Sequence, residues 1–239
     1  MAQQAIDTAS TASTASTAST ASTASTASTS ATTFTGRRAL LAGGALAGPL
    51  FLGLGVAQGL IRQGFDFSRN AISQLGLGDL GWIQVASFLL TGVLLAAGAV
   101  GLRRTIGGTP GGTWTPRLVA AFGVSFLLAG VFKADPGAGF PAGTPDGRGE
   151  LSGHGTVHLL SGTLGYLALC LAFLALARHF AARGERGWAV AYRIVPVGVL
   201  AGFAGSGATV LAFTLGAGLG LLALAAAILR VGAVVSADR

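Results

Sequence analysis

Five long apolar stretches, the last about twice as long as one membrane crossing, confine this chain to folds that a bilayer can surround. At 1.5 Å of rise per residue, a hydrocarbon core of about 30 Å takes roughly 20 helical residues. The first four stretches read as spans over about Ala39 to Ile61, Trp82 to Leu102, Thr115 to Phe132, and Ser152 or Val157 to Ala177. From Ile194 to Val235 the chain stays almost continuously apolar for about 42 residues, too long for one crossing. A turn near Gly205, Ser206 and Gly207 divides this region into spans of about Trp188 to Ala204 and Ala208 to Arg230; a turn at Gly216 to Gly220 is the alternative. Pro49 is a place for the first span to kink. The predicted fold is therefore all-α: one polytopic bundle of six transmembrane helices. Its domains are a 1–36 tail, a 37–235 membrane domain and a 236–239 terminal tail.

Composition agrees: 51% of residues are hydrophobic and 10% charged, a balance that a soluble domain of this size cannot solvate. A net charge of +7 would suggest nucleic acid in a soluble protein. Here the basic residues flank apolar spans, so they report topology, and no nucleic-acid partner is expected. With the N-terminus inside, eleven basic residues fall on cytoplasmic segments (Arg37, Arg38, Arg103, Arg104, Arg117, Arg178, Arg183, Arg186, Arg193, Arg230, Arg239) and four on outer loops (Arg62, Arg69, Lys133, Arg148). That asymmetry predicts that both termini are cytoplasmic. A twin-arginine export signal at Arg37-Arg38 is the competing reading, but signal cores run to about 7 to 15 residues and this run is of full spanning length.

Ala9 to Thr29 is seven exact Ala-Ser-Thr repeats. With no bulky side chain to bury, the tract cannot offset the roughly 1 to 2 kcal/mol per residue that ordering costs, and is expected to be disordered. Cys170 is the only cysteine, which excludes an intramolecular disulfide.

Two loops carry a resemblance. The segments Gly64-Phe-Asp66-Phe-Ser-Arg69-Asn-Ala-Ile-Ser73-Gln74-Leu-Gly76-Leu-Gly78-Asp79-Leu-Gly81-Trp82 and Gly130-Val-Phe-Lys-Ala-Asp135-Pro-Gly-Ala-Gly-Phe140-Pro, with Ser152-Gly-His154-Gly-Thr-Val-His158, resemble the bacterial membrane family called domain of unknown function 998, in its actinobacterial members. The resemblance covers about Arg37 to Val235 and implies six helices and a bacterial inner membrane; it implies no activity. Lys133 stands where that pattern leads one to expect proline.

His154 and His158, four apart, share one helix face as paired metal ligands require. With Asp135 they make a candidate zinc triad whose bound water would attack lipid, with Ser73 orienting substrate and Asp66 and Asp79 supporting the ligands. Against this stands a hydrogen-bonded cap, in which the histidines bond loop carbonyls and Asp135. Metalloprotease helices place Glu after the first His, whereas Gly155 stands here, and His179 falls on the opposite side. A binding or scaffold role, a metal-dependent intramembrane hydrolase and a small-molecule transporter are thus the open classes. Transport is weakened because the spans contain Gln58, Gln84, Ser125, Ser161, Thr163, Tyr166 and Thr209 but no acidic residue near a midplane, where a proton- or cation-coupled carrier would place one.

Gly76-Leu-Gly78-Asp79-Leu-Gly81 matches a dinucleotide fingerprint in letters, but no strand precedes it. Its glycines predict a tight loop, with Ser73, Gln74 or Asp79 capping the second span. Glycine pairs Gly44/Gly48, Gly55/Gly59, Gly198/Gly202 and Gly216/Gly220 predict close helix packing, within the chain or in a homodimer.

Overall fold

The computed structural model describes residues 36–147 and 149–237, so the Ala-Ser-Thr tract lies outside the described residues. Six helices follow one another: α1 Gly36–Ile61, α2 Gly81–Ile106, α3 Trp114–Val131, α4 Gly153–Ala182, α5 Arg186–Gly205 and α6 Val210–Ala237. Each is long and apolar enough to cross a membrane, and no strand occurs among the described residues. The chain divides into two compact units: Leu40–Arg239 holds the bundle, and of Met1–Ala39 only the first turn of α1 is described.

The turn after α5 falls at Gly205 to Thr209, as the first of the two hairpin readings requires. The fourth span starts at Gly153, takes the earlier of its two expected starts, and continues to Ala182. Helix α1 passes through Pro49 without interruption.

Glycine sets the helix spacing. A Cβ on Gly44 would lie 2.6 Å from Gly98 Cα, and one on Gly202 2.6 Å from Gly216 Cα, so α1 meets α2, and α5 meets α6, backbone to backbone. Gly48 sits on the Leu221 carbonyl, Gly55 on Ile72, Gly59 on Phe67, Gly198 on Leu219 and Gly220 on Leu169. All eight paired glycines therefore have a packing partner inside the chain. Each of α2 to α6 packs on the next in sequence, and α1 closes the ring between α2 and α6.

Large apolar side chains on the rim point outward. Leu164, Val197, Leu215 and Leu229 are 65%, 65%, 66% and 62% exposed, which water would penalise and lipid does not. The interior is aromatic: Phe51, Phe88, Phe122, Phe126 and Tyr166 touch in edge-on or tilted pairs 4.9 to 5.7 Å apart.

Candidate functional site: a lid over an aromatic cavity

One end of the bundle carries both long connections, 62–80 and 132–152, together with the α5–α6 turn. Buried Asn70 joins the two connections, donating from Nδ2 to the Gly137 and Ala138 carbonyls at 3.4 and 3.3 Å. Its Oδ1 accepts from Asp66 N–H at 3.0 Å. Gln74 works alongside, giving Nε2 to the Asp135 and Gly137 carbonyls at 3.2 and 3.4 Å while Oε1 accepts from Ala71 N–H. Gln74 thus caps the short 3-10 helix Ile72–Gly76. The expected side-chain cap on α2 is absent: its N-cap is Leu80, because Gln74 is committed to that 3-10 turn and to the second loop.

Arg62 extends from the end of α1, donates to the Leu75 and Leu77 carbonyls at 2.6 and 2.7 Å, and lies 4.9 Å from the Phe140 ring centre. Partial burial lowers its pKa, while Asp79 acts the other way. Gly78 adopts φ 70, and Gly81 leaves the Gly76 carbonyl room, so the glycine-rich segment is a tight loop. Ser68 then ties in the third connection, its carbonyl accepting from Val210 N–H and Thr209 Oγ1 at 2.9 and 3.0 Å. This satisfies a free donor at the start of α6.

Asp135 is engaged at the start of α4. Its carboxylate accepts from Ser152 Oγ at 2.6 Å and Ser152 N–H at 2.9 Å, while Ser152 Oγ accepts from Gly155 N–H at 3.0 Å. A Cβ on residue 155 would collide with that carboxylate, which explains why glycine stands there. The two histidines bracket Phe132: buried His158 places Nδ1 2.8 Å from its carbonyl oxygen, and exposed His154 lies 5.4 Å from its ring centre. Among the described residues, no three His, Cys, Asp or Glu side chains gather as a metal site needs. Asp66 pairs with Ser68 and Arg69, Asp79 is exposed, and His179 is at the far end on Thr109.

Beneath the lid lies a cavity of about 80 Å³. Phe51, Phe88, Phe126, Tyr166 and Phe213 wall it, Ile72 and Ser73 of the 3-10 helix roof it, and Ser125, His158 and Thr214 supply polar atoms. The structure thus brings Ser73 and His158 to one cavity and leaves Asp135 in the lid. The buried Thr214 hydroxyl has no hydrogen-bond partner among the described residues. Between α1 and α2, Gln58 Nε2 donates to Gln84 Oε1 at 2.8 Å, and Ser87 and Thr91 continue that face of α2 with buried hydroxyls that have no hydrogen-bond partner among the described residues. Spacings of three and four residues are the only sequence signal that places Gln84, Ser87 and Thr91 on one face. Their convergence with Gln58 depends on which helix α2 meets.

These features define a class: a multi-pass, six-helix membrane protein whose two long loops close one end over a small aromatic cavity. Residues 45–237 match the family described as Protein of unknown function (DUF998), and the chain belongs to that family. Neither the comparison with curated proteins nor that with solved structures finds a match.

Proposed function

We propose that this protein binds a small amphipathic molecule in the cavity under its lid, at the extracytoplasmic face of a bacterial cytoplasmic membrane. The distribution of basic residues supports that orientation, with both termini cytoplasmic. The residue pattern of the two loops further supports placing the chain with the actinobacterial type of its family. The single observation that carries the binding reading is the mixed lining: five aromatic rings around Ser125, His158 and an unpartnered Thr214 hydroxyl.

Physical scale narrows the ligand. A cavity of about 80 Å³ is smaller than the ~150 Å³ that admits benzene in an engineered apolar cavity. It takes the end of a molecule, with the remainder lying towards the lid or the bilayer. Lipid competes for apolar groups on nearly equal terms, so burial of a tail gives little preference. Selectivity rests on the polar atoms: a hydroxyl, amide or carboxyl group would satisfy Thr214 and share His158 with the Phe132 carbonyl.

The test is organic extraction of protein purified from its native membrane, with retained molecules quantified per chain, beside a cavity-filling Ala217→Phe variant. One retained species with a polar group and a hydrocarbon tail is expected, lost in the variant at unchanged helix content. An identical complement in both proteins overturns the proposal. Stoichiometric zinc in the parent that disappears in a His154→Ala, His158→Ala double variant would replace it with the hydrolase reading.

A further inference from the structure

At the end opposite the lid, α2 and α3 are joined by a turn with glycine at 107, 108, 111 and 112. That turn is drawn towards α4. Thr109 Oγ1 lies 2.9 Å from His179 Nδ1, and Gly111 packs directly on the Ala175 carbonyl. Because the glycines bring no side chains, a recess of about 540 Å³ is left between α2 and α3.

Its lining is divided by depth. Arg103 and Arg117 stand towards the turn, at the mouth, while Ala96, Val100 and Ala120, further along α2 and α3, form an apolar wall. From Arg103 back to Ala96 the helix rises roughly 10 Å, so this wall reaches into the hydrocarbon if the six helices span it. Neither arginine forms an ion pair among the described residues, whereas Arg183 and Arg230 at this end pair with Glu185. No acidic residue occurs from Gly81 to Ala134, so nothing within these two helices neutralises the mouth. Arg117 lies 5.5 Å from the Trp114 ring, which holds one guanidinium at the interface.

We infer that this α2–α3 recess is a binding site for an anionic phospholipid, with the headgroup phosphate between Arg103 and Arg117 and the upper part of one acyl chain along Ala96, Val100 and Ala120. A guanidinium matches phosphate geometry with paired N–H donors, which strengthens the contact over a simple point charge. Small side chains on the wall leave the width that a hydrocarbon chain occupies. This site is independent of the lidded cavity: it lies at the other end of the bundle and shares no lining residue with it.

The experiment uses as reporter the tryptophan of a Val93→Trp variant, one turn beyond Ala96 on the same face of α2, in a full-length chain carrying Trp82→Phe, Trp114→Phe and Trp188→Phe. Its fluorescence is followed as phosphatidylglycerol or phosphatidylcholine with brominated acyl chains is added to the protein in detergent. The anionic lipid is expected to half-quench that tryptophan at about tenfold lower mole fraction than the zwitterionic one, a difference that Arg103→Gln, Arg117→Gln abolishes. A charge-matched Arg186→Gln, Arg193→Gln variant should keep it. The proposal is overturned if the parent shows no preference, if the control pair loses it equally, since any basic surface would then suffice, or if inorganic phosphate at the lipid's concentration removes the quenching, since the site would then be one for free anion.

Discussion

The two ends of the bundle are held by different chemistry. At the lid end, Asn70 and Gln74 lock long connections together through uncharged amide groups on backbone carbonyls, Arg62 too spends its charge on carbonyls, and the ion pair between the connections, Arg69 with Asp146, is exposed. At the opposite end the connections are short, arginines crowd them, and the ties include the Thr109–His179 bond and the Glu185 ion pairs. A buried amide that loses its partners exposes unsatisfied groups to an apolar surround, whereas an arginine that is more than a third exposed exchanges its partner for water. The lid is therefore the end at which a single substitution acts most strongly.

Four substitutions sharpen this contrast, in falling order of effect. Asn70→Ala leaves the Gly137 and Ala138 carbonyls and the Asp66 N–H without that partner, and should cost about 3 kcal/mol of lid stability. Amide hydrogen exchange would show it as faster exchange across 132–152 with α5 unchanged. Gly155→Ala forces Asp135 off Ser152 and should cost about 2 kcal/mol, read as a lower melting midpoint and earlier cleavage of the second loop. Thr109→Val at the far end removes only the His179 contact and the bond to Ile106, for about 1 kcal/mol, with the lid's exchange rates untouched. Glu185→Gln weakens two ion pairs whose arginine side chains are 40% and 36% exposed while Glu185 is 13% exposed, so a loss of up to about 1 kcal/mol is expected, shrinking in salt.

Acid adds a fifth, smaller effect on the lid. The hydrogen bonds from Ser68 hold the Asp66 carboxyl below its ordinary range, with Arg69 contributing in the same direction. A carboxyl depressed in the folded state favours folding above its unfolded pKa, and that contribution is lost as pH falls through the folded value. Loop exchange near Ser68 should therefore rise only in that acid window, and Asp66→Asn should flatten the response.

The membrane fold was legible because span length and hydrophobicity are local properties: six helices, the Gly205–Ser206–Gly207 turn and the tight glycine loop before α2 follow from them. The glycine pairs also announced close packing, although their partners, Gly98 for Gly44 among them, are set by how the ring closes. The candidate site was legible only in part. His154 and His158 share a face as their spacing requires, yet what they meet is Phe132, whose carbonyl and ring carry no polar signature in the sequence. Asn70 looked like an ordinary loop residue, since its role comes from a contact 67 residues away. The cavity was invisible for the same reason: its walls come from five different helices.

The most direct test of a lid sealing a cavity is chemical access to Thr214→Cys in a Cys170→Ala background, using a membrane-impermeant maleimide on intact cells. A sealed cavity predicts slow labelling with the lid intact and at least about tenfold faster labelling when Asn70→Ala is added, following the population of open lid. Equal labelling rates with and without Asn70 would contradict it.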